Sequence, residues 1–405
     1  MGSIIGLCRH PLEQFSYRRF ADSHQVWLLC HPEKSGVRSG GHGVPPERVR
    51  LFDRYDVDSS VEYEAARIIE SGPCDAIVAL SEVDVLRAAH LRTHYGLPGL
   101  GLETAVAFRD KVVMKRVLAA AGVAVPRFMP VSTGVDLRQA VEAFGYPLIV
   151  KPRSGGGSVG TRVVHDEAGL LEVLRAGLQP NFYTPANLEA EEFIDGEIFQ
   201  VDGLVVDGRV YLQTVSRHRS DMLDFASPTW SRMVDQRSAQ AERLRGFTER
   251  VLSELGLLSP GIHSYFHCEV FDTPRGPVLC EVASRPGGLG IVDQLDTYFG
   301  VDTFDLLLDA TLGRDLPDPA RLRPDGGLVG WVAVPAGYLP EYARSLVPAA
   351  SRLRQRTYNR RDKSARRISS ADFDGVMVVR GADEADLEHL LSTAARGLTE
   401  AVGVA

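Results

Sequence analysis

Apolar residues in the first hundred positions fall into short blocks set between stretches of helical spacing. The runs HQVWLLC (24–30), RVRLFD (48–53) and CDAIVAL (74–80) have the length and composition of strands. The segments SVEYEAARIIESG (60–72) and EVDVLRAAHLRTHYG (82–96) repeat their apolar residues at helical spacing. Strands alternating with helices predict a small α/β domain on a parallel sheet over residues 1–105. Residues 106–325 hold most of the polar motifs. Residues 326–405 read as strand (LVGWVAV, 328–334), a polar basic stretch, strand (GVMVVRG, 375–381) and helix (383–398), an α+β region. No internal repeat is present. The fold class is therefore multidomain, α/β followed by α+β.

Within the middle region, Leu148-Ile149-Val150 is a short apolar run that reads as a buried strand. It leads into Ser154-Gly155-Gly156-Gly157-Ser158-Val159-Gly160, which matches the spelling of both a dinucleotide fingerprint and a P-loop frame, with Thr161 where a P-loop has lysine. Both motifs require a helix directly after the glycines, because its N-terminus holds the phosphate. Val163 and Val164 instead continue as a strand, and helical spacing starts only at about Glu167–Ala176. The glycines thus cap a β-hairpin, whose exposed N–H groups suit a phosphate chain. Lys151, at the end of the first strand, stands in for the missing lysine. A mobile hairpin tip with no ligand is the plainer alternative.

The stretch 263–288, HSYFHCEVFDTPRGPVLCEVASRPGG, reads as a second hairpin turning at DTPRGP. Centred on Arg275, it sets Glu269 opposite Glu281 and Phe271 opposite Leu279. His267, Glu269, Glu281, Ala283 and Arg285 then share one face, and Cys268, Val270, Val278, Cys280 and Val282 point into a core. Two opposed glutamates repel, with Cβ atoms about 5 Å apart. A divalent cation such as Mg²⁺, held by the carboxylates and by substrate phosphates, relieves this; pairing of one glutamate with Arg285 is the alternative. AFRDKVVMKRVLAAAGVAVP (107–126) reads as one helix ended by Gly122, with Lys111 and Lys115 on a common face, either solvated or turned to a ligand. LEAEEFIDG (188–196) reads as a strand ending at Glu191-Glu192, followed by Asp195-Gly196 and another hairpin.

Composition narrows the setting. A chain of 405 residues exceeds one core, so two or three domains are expected. A net charge of −8 gives no field favouring nucleic acid or anionic membrane. The basic run Arg352, Arg354, Arg356, Arg360, Arg361, Lys363, Arg366, Arg367 has one aromatic, Tyr358, too few for base stacking, and reads as a solvated loop. Five cysteines, none in C-x-x-C spacing, argue against a disulfide framework or a structural zinc. The start of the chain lacks the apolar run of a signal peptide, and no stretch approaches the ~20 apolar residues of a membrane span. A cytoplasmic protein is expected.

The order of these four stretches resembles that of the ATP-grasp ligases: the Lys111 helix, the Lys151 strand with its glycine hairpin, the Glu-Glu-Phe-Ile segment, and the two-glutamate hairpin. The resemblance covers roughly residues 106–315, and it implies an N-terminal α/β domain before the nucleotide-binding core and a lid-like region after it. By resemblance, Lys111 and Lys151 bind the ATP phosphates, and Ser154, Gly155, Gly156, Gly157, Ser158 and Gly160 form the loop over them. Glu191 accepts from the adenine amino group, the backbone of Glu192 and Ile194 grips the adenine edge, and Glu197 holds the ribose, one position earlier than in many members. Glu269 and Glu281 bind Mg²⁺ or Mn²⁺. Arg285 lies beside the transferred phosphoryl group or a substrate carboxylate.

Many members read E-[IV]-N-P-R at the second glutamate, with the asparagine as a further metal ligand; this chain has Ala283 there. The change is similar to the branch of L-amino-acid ligases, carboxylate–amine ligases that make dipeptides. The implied chemistry is phosphoryl transfer from ATP to a carboxylate, then attack of an amine on the acyl phosphate, giving an amide, ADP and phosphate. His267 and His218 are candidates for deprotonating the amine or binding substrate, and Arg217, His218, Arg219 and Trp230 for shaping the substrate site. The implied partners are a small carboxylate and an amine, at least one an amino acid, and a homodimer is compatible with the reading. A carboxylase or phosphotransferase using the same grip, and a non-catalytic nucleotide-binding regulator, are the rival classes.

Overall fold

The computed structural model describes residues 2–39, 42–179, 184–219, 229–322, 326–334, 350–355 and 375–402. Residues 356–367 of the basic run and 220–228 of the loop before Trp230 lie outside the described residues.

The first strand is β1 (Ser3–Cys8), buried at every position. It was not expected from the pattern of the first hundred residues. A strand covered on both faces shows no alternation, so its period carries no signal. β1 is central in a parallel sheet of order β3-β2-β1-β4, with β2 (Gln25–Cys30), β3 (Val49–Leu51) and β4 (Cys74–Ala79) where strands are expected. Helices α1 (Ser60–Glu70) and α2 (Glu82–Tyr95) cover one face through Val61, Ala65, Ile68, Ala88 and Leu91. The opposite face, with Ile4, Val26, Leu28 and Val78, packs into one cluster with Tyr265, Leu295, Phe304 and Leu308 from further along the chain. Phe304 meets Phe15 and Tyr17 edge to face at 5.4 and 5.2 Å.

The helix expected over 107–122 is two helices, α3 (Leu102–Arg109) and α4 (Lys111–Ala120). Asp110 breaks them: its backbone is extended, and its carboxylate accepts the N–H groups of Val112 and Val113 as the N-cap of α4. A small antiparallel sheet follows, order β5-β8-β6-β7, from β5 (Phe128–Val131), β6 (Leu148–Pro152), β7 (Arg162–Val164) and β8 (Leu188–Glu192). Leu148, Val150 and Ala190 bury against α5 (Gly134–Phe144) and α6 (Glu167–Ala176). The alternate residues Lys151, Glu189 and Glu191 therefore face away from that core.

The largest sheet is antiparallel, order β13-β12-β9-β10-β11-β14-β16-β15. Its strands are β9 (Glu197–Val206), β10 (Arg209–His218), β11 (Trp230–Met233), β12 (Ser264–Thr273), β13 (Gly276–Ala283), β14 (Leu328–Val334), β15 (Ala350–Gln355) and β16 (Gly375–Gly381). Asp207 and Gly208, with φ of 48° and 66°, make the tight β9–β10 turn. One face buries Phe199, Val201, Val215, Cys268 and Val270 beneath α7 (Ala239–Glu254). On the other face, Leu204, Leu212 and Tyr265 belong to the cluster shared with the N-terminal sheet. Further along the same face the residues become polar: Gln200, Asp202, Ser216, His267 and Glu269, all buried. Helices α8 (Ile291–Phe299) and α9 (Thr303–Thr311) precede β14, and α10 (Glu384–Val402) packs on β14 and β16 through Leu387, Leu391 and Ala394. No helix among the described residues is long and apolar enough to cross a membrane.

The shared cluster makes a stability prediction. Phe304→Ala removes a buried ring that joins the N-terminal sheet to the rest. It should cost about 3–5 kcal/mol and shift one cooperative urea transition. A separate early transition of the N-terminal domain would show that the two cores are independent.

Candidate active site

The inward face of the small sheet meets α4 in a set of buried charges. Lys115 is 0% exposed, although a lysine on a helix surface is ordinarily solvated. Its Nζ lies 2.8 and 3.0 Å from the two oxygens of Glu189 and also contacts Glu191. Lys151 Nζ is 3.0 Å from Glu191 Oε2 and 4.0 Å from Glu189 Oε1. Burial works against each charge here. For Lys151 the surrounding carboxylates, Glu191 foremost, override it and hold the ammonium protonated. For Glu191 the two lysines override it and keep the carboxyl ionised. Glu189 is raised by burial and by Glu191.

The glycine motif caps a hairpin, as its sequence implies. β6 and β7 pair antiparallel, Leu148 with Val164 and Val150 with Arg162. Gly157 and Gly160 take φ of 61° and 76°, conformations that cost glycine nothing. Asp110, besides capping α4, receives Arg153 through Nε at 3.1 Å and Nη2 at 2.5 Å. This fixes the N-terminus of α4 against the loop. Lys111 Nζ then reaches Gly155 O at 3.1 Å and Glu281 Oε2 at 3.2 Å. Both Lys111 and Lys151 are buried, so neither is a solvated surface lysine.

The glutamate hairpin pairs as expected up to Glu269 opposite Glu281, with His267 opposite Ala283. Beyond that a β-bulge shifts the register, so Phe271 faces Val278 and not Leu279. β13 is the sheet edge, where an extra residue is readily accommodated. The bulge moves Leu279 into the core in place of Val278 and Cys280, and leaves Cys280 within electrostatic reach of Lys151. Glu281 is held at about 2: burial opposes ionisation, but Lys111 and Lys151 outweigh it. Arg285 pairs with neither glutamate. Its Nε and Nη2 lie 2.7 and 2.5 Å from Oε1 of Glu82, on α2.

His267 is clamped between carboxylates, Nδ1 to Asp202 Oδ1 at 2.7 Å and Nε2 to Glu269 Oε1 at 3.4 Å. Burial would lower it, yet Asp202 and Glu269 raise it to about 10. His218 is pushed down to about 4 by burial and is not a surface residue; it packs edge-on to Trp331, centroids 5.9 Å apart. Arg217 does not join it. Neighbours in a strand face opposite ways, and Arg217 instead pairs with Glu197. Glu192 holds Arg127 through its side chain, and Ile194 follows in the connection to β9.

Several site residues had no motif to announce them: Glu82, Arg109, Asp202, Glu189 and Gln200. For Gln200 and Asp202 a weak signal exists, two polar residues at alternate positions in the apolar run IFQVDGLVV (198–206). Gln200 is 0% exposed, and its two amide atoms have no hydrogen-bond partner among the described residues; the same holds for His218 Nδ1 and Trp331 Nε1. Among the described residues no three His, Cys, Asp or Glu side chains form a ready-made metal cluster. A metal here has two opposed carboxylates to use, and needs its remaining ligands from a bound molecule. That suits Mg²⁺, which typically takes one or two carboxylates plus substrate phosphates.

A small antiparallel sheet carrying a glycine hairpin, facing a larger antiparallel sheet with paired carboxylates, and cations from both, defines the ATP-grasp fold. Residues 116–297 match the ATP-grasp domain, so this part of the chain is an ATP-grasp domain. It is similar to the L-arginine-specific L-amino acid ligase of Bacillus subtilis, 29% identical over 273 residues, 66% of this chain and 64% of that protein. It is also similar to the alanine–anticapsin ligase of Bacillus subtilis strain 168, 26% identical over 335 residues, 76% of this chain and 67% of that one. The chain thus spans about two thirds of the length of these relatives. The crystal structure of an L-amino acid ligase from Bacillus licheniformis superposes with a TM-score of 0.74 at 19% identity, covering 99% of this chain and 97% of that one.

Lys115→Met should expose the dependence of this site on pairing. It strands Glu189 and leaves Glu191 to Lys151 alone in a buried setting, and breaking such a set costs about 3–5 kcal/mol. The under-paired carboxylates then bind protons more readily in the folded state. The deficit relative to wild type, measured by urea unfolding, should shrink as pH falls from 8 to 5. A pH-independent deficit would mean that lost packing, not charge, is responsible.

Proposed function

We propose that the chain is an ATP-dependent carboxylate–amine ligase that joins amino acids into a dipeptide-like amide through an acyl phosphate, releasing ADP and phosphate. The observation that carries this reading is the convergence of Lys111, Lys151 and the opposed Glu269 and Glu281 on one glycine hairpin, in an ATP-grasp domain whose relatives are amino acid ligases.

The nucleotide sits between the two sheets. Lys111 and Lys151 take the phosphate oxygens, and the loop Ser154–Gly160 folds over them. The carboxylate of Glu191 is committed to Lys115 and Lys151, so adenine recognition falls to the backbone of Glu192 and Ile194. Glu197, tied to Arg217, is the candidate for the ribose hydroxyls. Glu269 and Glu281 would hold Mg²⁺, or Mn²⁺ in its place, and because Ala283 offers no ligand the remaining oxygen ligands would come from the bound phosphates. The metal, when bound, draws negative charge off the transferring phosphoryl group.

A substrate carboxylate oxygen attacks the γ-phosphorus, and ADP leaves. Charge builds on the phosphoryl oxygens, and the fixed cations Lys151 and Arg285 stabilise it without reorganising. The amine then attacks the acyl carbon and phosphate departs; no protein nucleophile takes part. The closed glycine loop keeps water from the acyl phosphate. Gln200, His218 and Trp331 present, on the same side, polar atoms with no partner among the described residues, the groups a small polar substrate would satisfy. Both substrates are small molecules. Neither nucleic acid nor membrane has a role, and the chemistry suits the cytoplasm.

The direct test is ADP release over a panel of amino acid pairs, with the product identified by mass. ADP and phosphate should appear only with an acceptable acid present, together with an amide. Stoichiometric AMP and pyrophosphate, or turnover confined to carboxylates and amines that are not amino acids, would overturn the reading.

Glu281→Gln is a second test. The fold should persist, because the amide is nearly isosteric. Turnover should fall about tenfold or more, since a charged ligand and its pairing with Lys111 are lost. In wild type the depressed Glu281 contributes stability above its ordinary range, and loses it as pH falls from about 4.5 towards 2. The variant should show a flatter acid limb in thermal melts. Wild-type turnover at saturating Mg²⁺ would remove the pair from the metal site.

A further inference from the structure

We propose that Glu82 is a positioning residue that joins Arg285 to the glycine loop, which makes the N-terminal α/β domain a working part of the transfer site. The catalytic half of this proposal rests on the ligase reading above; the half concerning the loop does not.

Glu82 opens α2 directly after β4, where the chain leaves the C-terminal end of a parallel strand. A carboxylate in the first turn is favoured by the helix dipole. Its Oε1 takes both Nε and Nη2 of Arg285, and the remaining guanidinium nitrogen of Arg285 donates to Pro286 O at 2.7 Å. Every terminal of Arg285 is therefore directed, two of them by Glu82. Its Oε2 contacts Arg109, the last residue of α3. Arg109 Nη2 in turn donates to Ser154 O at 2.7 Å, the first residue of the glycine loop. Glu82 also lies close to the loop: a Cβ built at Gly156 would stand 3.3 Å from Glu82 Cγ. Burial opposes the ionised form of Glu82, but Arg285 and Arg109 override it and keep its carboxyl below the usual range.

The geometry has a consequence for order of events. A guanidinium with one fixed orientation offers the same face to each incoming phosphoryl group, whereas a free one must be ordered at the moment of reaction. The same carboxylate that fixes it also anchors the loop. Loop position and Arg285 orientation are thus set together.

The loop half is tested without any reaction. Limited trypsin cleavage after Arg153 and Arg162, at either end of the loop, is followed in ligand-free protein by mass spectrometry, with a thermal melt to show that each variant is folded. Proteolysis of a transiently opened segment follows its open population. Loss of a charge-assisted hydrogen bond opens it roughly ten- to a hundredfold. Glu82→Gln and Arg109→Gln should each accelerate cleavage to that degree, and the double variant should be no faster than the faster single one. Unchanged cleavage in Glu82→Gln, or additive acceleration in the double variant, would overturn the bridge. If Glu82→Gln fails to fold, Arg109→Gln decides alone, since it leaves the Arg285 contact in place: accelerated cleavage supports the bridge and unchanged cleavage removes it.

The catalytic half is read in ADP release. Glu82→Gln should lower kcat about ten- to a hundredfold, and Arg109→Gln less, because only the loop arm is cut. Equal kcat in Glu82→Gln and wild type would show that Arg285 needs no orienting carboxylate. Should the protein prove not to be a ligase, the cleavage result still stands or falls by itself.

Discussion

The site depends on one constraint: a charge taken out of water must be paired, and its partner must be held. Lys115, with no exposed surface, meets both Glu189 and Glu191, and Lys151 closes the set from the next strand. These four groups come from α4, β6 and β8. None can shift without stranding a charge in a medium that penalises it by several kcal/mol. Hydrophobic contacts alone would tolerate sliding between these elements; directed ion pairs do not. The position of Lys111, one turn before Lys115 on α4, follows from this, and so does its reach to Gly155 and Glu281.

The cations proposed to handle phosphate are accordingly not free in the absence of ligand. Lys111 rests on Glu281, Lys151 on Glu191, and Arg285 on Glu82. Binding an anion and a metal here exchanges the partners of Lys111 and Lys151, while Glu82 keeps its hold on Arg285, and does not create charge pairs anew. Glu281, already ionised through Lys111, needs no deprotonation before it meets a cation.

Much of this was legible in sequence where a local rule sufficed. Strand-forming valines after Gly160 exclude a helix, and the hairpin follows. The turn at DTPRGP places the two glutamate strands as a hairpin, but its own register would set Glu269 opposite Cys280, and only the bulge brings Glu269 opposite Glu281. The misses share a cause: each is decided by contacts distant in sequence. β1 lacks alternation because both its faces are covered. Asp110 interrupts a helical pattern because its carboxylate caps α4 and grips Arg153, 43 residues away. The bulge at Cys280 depends on β13 being an edge, which no hairpin turn announces. Glu82 looks like any acidic residue in a first helical turn until Arg285, 203 residues away, arrives beside it. Arg217 and His218 are neighbours in sequence, and strand alternation separates their side chains.

The small sheet has an apolar core of its own. Val131, Leu137, Leu148, Val164 and Ala190 form one cluster with α5 and α6, while, among the described residues, the neighbouring cluster under α7 draws nothing from residues 127–192. What joins this module to the rest is largely ionic: Lys115 with Glu189 and Glu191, and Asp110 with Arg153. Heat-capacity change tracks the exposure of apolar surface. A gap opened along this seam wets charge and leaves oil covered, so its heat-capacity signature is small. Ionic strength and pH, more than temperature, are the variables to which such a seam responds.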